Sequence, residues 1–417
     1  MTNYTLEFKK VESKISNFVT WGVFLITLVF VIITLTSAAF PNLLLTSFGG
    51  VENHANINPF ETGIWAYPLL ITNTLIFTLT ILHFKKRLPS QLTSLFAFIF
   101  NFEISAKITF FVITILIGLY IIFSVGELFD GIFQADYNER VKHWIENYSF
   151  TKIDKEGYNA GGLGAYLHVM LGFISLQIFD NVKVIPFLTS ISLLVLTYFI
   201  TLEITKKRFA GIVSFVILLS SGVFLNYDTG ITYPNFWILL YLFSLYLIYK
   251  KWPASPIPYV ASILTKLMTI AFFPMTLFFI YRASISRQNK IRVMILYVAI
   301  AVLGILFLNL TNSSFISGNA AFDSHDFLGG FNAIQVSLRF DPLVVIFILP
   351  LIVGLFFKSR NGFKESESIT FLIFGMILSA LFIPALGTGI NVPYRFIPLI
   401  VFFAMGVGIL LSKKSTE

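Results

Sequence analysis

Lys107-Ile108-Thr109-Phe110-Phe111-Val112-Ile113-Thr114-Ile115-Leu116-Ile117-Gly118-Leu119-Tyr120-Ile121-Ile122-Phe123-Ser124-Val125-Gly126-Glu127 settles the fold class. Nothing charged stands between Lys107 and Glu127, and a run of roughly 18 apolar residues is enough to cross a bilayer. A half-buried strand would alternate polar and apolar side chains, and a helix of a soluble domain would carry a polar stripe. This stretch does neither, so it reads as a membrane helix. Similar runs occupy 17–38, 65–84, 163–179, 184–204, 293–310, 343–357, 369–388 and 395–412.

Composition agrees along the whole chain. Hydrophobic residues make up 56% and charged residues 12%, with 48 Phe and mean hydropathy +0.83, against about 25% charge in a globular domain. The expected fold is all-α, a polytopic membrane helical bundle of about 11–12 transmembrane segments. The run from Phe18 to Ala39 is too long for a signal h-region, although Ser37-Ala38-Ala39 mimics a cleavage site, so it reads as an uncleaved anchor. The absence of Cys excludes disulfides and thiolate chemistry. The net charge of +8 is no sign of nucleic acid, because most Lys and Arg flank apolar segments.

Those flanking cations orient the bundle. Lys9/Lys10/Lys14, Lys85/Lys86/Arg87, Lys206/Lys207/Arg208, Lys250/Lys251, Arg282 to Arg292, Lys358/Arg360/Lys364 and Lys413/Lys414 mark cytoplasmic ends. Segment 106–126 then runs outward and delivers an acidic outer loop, 127–160. Parity fails in two places. Between that loop and Lys206 lie two apolar runs where an odd number of crossings is needed, which makes one of them re-entrant or turns the Lys206 cluster outward. Between Lys251 and Arg282 an even number is needed, and a hairpin of two half-helices with Thr265-Lys266 near its apex supplies it.

The remaining charges gather on the outer side. The acidic loop contains Ala135-Asp136-Tyr137-Asn138-Glu139-Arg140. A carboxylate there, Asp136 or Asp130, can take a proton from an acceptor at the membrane face. Equally, these acids can solvate a surface loop that also carries Arg140, Lys142, Lys152 and Lys155. Glu139 and Arg140 share an amphipathic turn with Val141 and Trp144, so 136–147 reads as a helix in the interface with Trp144 as anchor. A lone ammonium inside an apolar run costs roughly 2.5–3.5 kcal/mol, so Lys266 needs a partner such as a lipid-linked phosphate, or a route by which it snorkels. Arg395, in Pro393-Tyr394-Arg395-Phe396, suits bidentate phosphate recognition or a headgroup anchor. Asp228, in Asn226-Tyr227-Asp228-Thr229-Gly230, suits an Asx turn or a site. His54, His83, His143, His168 and His325 are scattered, and no zinc, P-loop or nucleophile-elbow motif is present.

These stretches resemble the GT-C class of membrane glycosyltransferases that use polyprenyl-phosphate sugars, including the dolichyl-phosphate-mannose mannosyltransferases. Asp136-Tyr137 and the residues to Phe150 are similar to the family's first outer loop with its catalytic carboxylate. Val184-Ile185-Pro186 through Lys206-Lys207-Arg208-Phe209-Ala210-Gly211 is similar to its paired helices with a basic-Gly junction. Leu264-Thr265-Lys266 with Pro274 resembles its lysine segment, and Tyr394-Arg395-Phe396 its last-helix arginine. The resemblance implies a catalytic core over 106–417, preceded by a two-helix membrane extension over 1–105. It further implies Asp136 as base with Asp130 as alternative, Lys266 and Arg395 on the donor phosphate, and Glu139, Arg140, Asp228 and Tyr394 along the substrate groove. The implied partners are membrane lipid, a polyprenyl-phosphate sugar donor and an acceptor the sequence does not name; no nucleic acid and no cofactor are expected. A divalent metal is not indicated, because Asp130 and Asp136 stand six apart where the family often has an adjacent acidic pair. The implied location is the cell membrane, or the endoplasmic reticulum in a eukaryote, with the active site extracytoplasmic. A transporter or lipid flippase, and a non-catalytic subunit of a membrane complex, are the rival readings.

Overall fold

A computed structural model describes residues 14–43, 58–131, 141–148, 166–232, 235–311, 322–339, 341–385 and 393–412. Hydrocarbon offers backbone amides no partner, so long apolar runs satisfy their own hydrogen bonds as helices. The described residues contain helices and no strand. Among the described residues seven helices are long and apolar enough to cross a membrane, and Tyr166–Phe179, Arg208–Leu219, Phe236–Lys250 and Leu267–Arg282 are shorter apolar ones. The chain is an integral, multi-pass, all-α membrane bundle.

The helices are α1 (Lys14–Ala39), α2 (Ala66–Phe84), α3 (Ser90–Asn101), α4 (Ala106–Ser124), α5 (Lys142–Glu146), α6 (Tyr166–Phe179), α7 (Val184–Thr205), α8 (Arg208–Leu219) and α9 (Gly222–Tyr227). They continue with α10 (Phe236–Lys250), α11 (Pro256–Thr265), α12 (Phe273–Arg282), α13 (Arg287–Thr311), α14 (Ser324–Leu338), α15 (Pro342–Arg360), α16 (Glu365–Ala385) and α17 (Ile397–Leu410). α17 forms the axis, buried along almost its whole length and packed by α7, α8, α15 and α16. Its Gly408 lets α7 and α8 close in: a Cβ there would lie 2.3 Å from Ser214 Oγ and 2.9 Å from the Ala210 carbonyl. The Ser214 hydroxyl in turn donates to the Ala404 carbonyl at 2.8 Å, binding α8 to α17.

α1 belongs to this core. Val31 is fully buried, and the helix packs on α14, α15 and α16. At its start Thr20 donates to Glu367 Oε1 at 2.7 Å, Glu367 pairs with Arg282 at 2.6 Å, and Ser359 also donates to Glu367. α2 leans on α15 with only Leu69 buried, and α3 buries no residue. Among the described residues between 14 and 105, one core helix is thus followed by two peripheral ones.

Charge divides the bundle into two ends. Glu203 with Lys206 and Lys250, Arg282 with Glu367, and Lys207 beneath Leu411 form a basic end. Buried Lys207 donates to the carbonyls of Ile99, Phe100 and Leu411 at 3.3, 3.1 and 3.0 Å, capping two helix C-termini at once. Glu127, Asp130 and Asp228 gather at the opposite, acidic end.

Both parity problems resolve. α6 starts and finishes at the acidic end: His168 bonds the Ile231 carbonyl, while Ser175 donates to the carbonyl of Asn181, whose own amide reaches Leu128. α6 therefore does not cross, and α7, about 33 Å long at 1.5 Å per residue, runs alone from Lys183 to the Lys206 end. The second place is a hairpin: α11 rises from the Lys250 end, breaks at Lys266, and α12 returns to Arg282. Ser262, Thr265 and Thr269 hydroxyls cover the Tyr259 and Ser262 carbonyls around the break, which makes irregular backbone tolerable at that depth. Between α13 and α15, α14 packs against α1 and α16.

Candidate functional site

Helix length prepares the acidic end. α8 and α10, at about 18 Å and 22 Å, are shorter than a hydrocarbon core of about 30 Å. Their acidic-side ends, with α9 and the turn 228–232, lie below the level that α7 reaches. Ser190, which touches this turn, sits about 9 Å down α7 from Val184. The candidate site gathers around these recessed helix ends.

Its acidic wall is built from α4 and the turn after α9. Asp228 is 1% exposed; its Oδ2 accepts from Ser124 at 2.8 Å and its carbonyl from Ser190 at 2.7 Å. Asn235 steadies Ser190 by donating to its hydroxyl at 2.9 Å. Asp228 Oδ1 makes no hydrogen bond of ordinary geometry, and neither does the hydroxyl of Tyr120, which lies against the same carboxylate. Burial pushes the Asp228 carboxyl up to about 7; the nearby Glu127 charge adds to that, while Tyr120, Ser124 and the Thr229 amide oppose it. Glu127 accepts from Thr229 Oγ1 at 2.8 Å. Buried Lys183 donates to the carbonyls of Glu127 and Asp130 at 2.6 and 2.9 Å, closing the 3-10 turn Val125–Leu128. That desolvation holds Lys183 below the ordinary lysine range, offset in part by Asp130 and Glu127.

The basic wall meets it through tyrosines. Lys266 is extended (φ −158°), which projects it from the hairpin apex. Its ammonium lies 4.7 Å from the ring centre of Tyr394 and 5.8 Å from that of Trp237. The Arg395 guanidinium lies 5.9 Å from the Tyr394 ring, and its Nε donates to Tyr394 Oη at 3.4 Å. Tyr394 packs edge-on against Tyr227 at 5.7 Å, and Tyr227 precedes Asp228 in the chain. Tyr394 thus joins Lys266 and Arg395 to the turn that carries buried Asp228. Among the described residues no carboxylate pairs with Lys266 or Arg395.

Asp136, Glu139 and Arg140 lie outside the described residues. Asp130 is exposed at the rim, and only its carbonyl is engaged by Lys183. α5 is a single turn whose Val141 and Ile145 are buried against Val169 and Ile231, with Trp144 packed on the same cluster. Trp144, expected to anchor in the interface, packs on the cluster that seats α5 on α6.

Reading by residue type missed four contributors. Lys183 falls in none of the cation clusters, although the break Asp180-Asn181-Val182-Lys183 signals a turn. Tyr120 and Ser124 lie inside an unbroken apolar run and give no signal. His168 was one of five scattered histidines. The described residues contain no group of three or more His, Cys, Asp or Glu side chains arranged to hold a metal. No family model, curated protein or solved structure matches the chain.

Proposed function

We propose that this protein is a membrane glycosyltransferase that moves a sugar from a polyprenyl-phosphate donor to an acceptor at the acidic end of the bundle, which the positive-inside rule makes extracytoplasmic. One observation carries the reading: Lys266 and Arg395 flank Tyr394 in a recess, half-buried and without a described acidic partner. Two such cations are costly unless an anion joins them. A phosphate fits, since Arg offers a planar fork and Lys a point charge.

The chemistry follows from charge. The donor phosphodiester carries one negative charge, and its leaving group, a polyprenyl phosphate, gains another as the sugar C1–O bond breaks. Lys266 and Arg395 then bind the transition state more tightly than the ground state. The acceptor oxygen forms the new bond to C1 and loses its proton to a loop carboxylate, Asp136 with Asp130 as alternative. A transporter would need polar groups along a path through the membrane. The described buried charges instead sit at the two ends of the bundle, which favours transfer at one face.

The test is consumption of radiolabelled polyprenyl-phosphate sugars by the purified chain in proteoliposomes, read as released polyprenyl phosphate. Lys266→Ala and Arg395→Ala should each lower turnover by about 10²–10³, and Asp136→Asn should remove most of it. Equal turnover by the wild type and Lys266→Ala overturns the reading.

A further inference from the structure

We propose that the oxygen cage formed by Tyr120, Ser124, Ser190 and Asp228 binds a sodium ion. The site differs from the Lys266–Arg395 recess and stands whether or not sugar transfer occurs. Its oxygens come from three elements: Tyr120 and Ser124 from α4, Ser190 from α7, and Asp228 from the turn after α9. The Tyr120 hydroxyl lies against the Asp228 carboxylate and against the Ser124 and Ser190 hydroxyls. Two of these atoms, Asp228 Oδ1 and Tyr120 Oη, make no hydrogen bond of ordinary geometry, although each residue is only 1% exposed.

Charge decides what they are for. A buried carboxylate without a counter-ion is expensive, and no described cation pairs with Asp228. The adjacent Lys183 is committed to the carbonyls of Glu127 and Asp130. Glu127 stands close enough to add negative potential, while its Oε2 is taken by Thr229. A water molecule would satisfy one lone pair but bring no positive charge. A small hard cation satisfies both oxygens and neutralises the carboxylate. Hydroxyl and carboxylate oxygens are the ligands hard cations prefer. One carboxylate among neutral oxygens matches a single positive charge, whereas Mg²⁺ and Ca²⁺ recruit more carboxylates or keep their waters.

The experiment uses the purified full chain in detergent at pH 8.5, with sodium chloride replacing choline chloride at constant ionic strength and potassium and magnesium chlorides as parallel arms. Sodium should raise the apparent Tm in a saturable way. Asp228→Asn should abolish the shift, and Tyr120→Phe or Ser124→Ala should move its midpoint to higher sodium. Equal shifts with choline or potassium, or a sodium shift that persists in Asp228→Asn, overturn the proposal. Because Asp228→Asn can fail to fold, ²²Na⁺ binding to the wild type provides the second measurement. About one saturable equivalent per chain is expected, and no saturable binding, which leaves a proton as the occupant, overturns the proposal.

Discussion

Glu367→Gln tests the claim that a buried ion pair fastens the basic end of the bundle. Glu367 lies at the start of α16 and ties three other helices to it: Thr20 of α1, Ser359 of α15 and Arg282 of α12. The side chains of Arg282 and Glu367 are 5% and 3% exposed, so their attraction is little screened. Glutamine keeps the shape and can still accept from Thr20 and Ser359, but it leaves the Arg282 charge buried without a counter-charge. Lys364, the nearest other charged group on Glu367, is itself cationic. Breaking one partner of such a pair costs about 3–5 kcal/mol, whereas replacing both with apolar groups is often neutral. The assay is unfolding by sodium dodecyl sulfate titration in mixed micelles, for Glu367→Gln, Arg282→Met and the double variant. The single variants should each lose about 3–5 kcal/mol, and the double should recover at least half of the summed loss. If Glu367→Gln loses less than about 1 kcal/mol, or the double loses the full sum, the pair does not hold α12 to α16.

Asp228 and Gly408 give two more. With its carboxyl raised from the ordinary 3.8 to about 7, the folded chain keeps a proton that the unfolded chain releases, so the contribution is complete below about pH 4 and lost as pH rises to about 7. In sodium-free buffer the loss should be on the order of 4 kcal/mol, and the pH slope should flatten in Asp228→Asn; an unchanged slope in that variant would remove Asp228 as its source. Gly408→Ala drives a methyl into Ser214 Oγ and the Ala210 carbonyl and should cost about 1–3 kcal/mol. Gly118→Ala, with nothing within 4 Å of its added Cβ, should be neutral or slightly stabilising in the same titration; matching losses in the two would contradict the tight α8–α17 contact.

The apolar runs and the cation clusters were enough to read helices, ends and even the hairpin at Lys266, because bilayer thickness and backbone satisfaction leave few alternatives. Lys266 and Arg395 were legible for the same reason: a charge in or beside an apolar run must be explained. What escaped was pairing. Whether an apolar face meets lipid or another helix leaves little trace in hydrophobicity, so nothing in Phe18 to Ala39 revealed that α1 packs on α14, α15 and α16. The clasp of Lys183 on Glu127 and Asp130, and that of Lys207 on Ile99 and Leu411, join residues far apart in the chain. Tyr120 and Ser124 acquire meaning only once Asp228 is folded against them. Helix shortening was hidden too, since the turns that stop α8 and α10 are themselves rich in apolar residues.

That shortening acts on the surrounding lipid as well as on the site. The bundle presents apolar side chains such as Val216 and Phe243 to its surroundings, along helices about 18–22 Å long, while α7 offers about 33 Å. A bilayer meeting both heights must dimple beside the recess, at a fraction of a kcal/mol for each ångström of mismatch. The protein thus imposes its own local membrane thickness, and its fit to the surrounding bilayer depends on acyl-chain length.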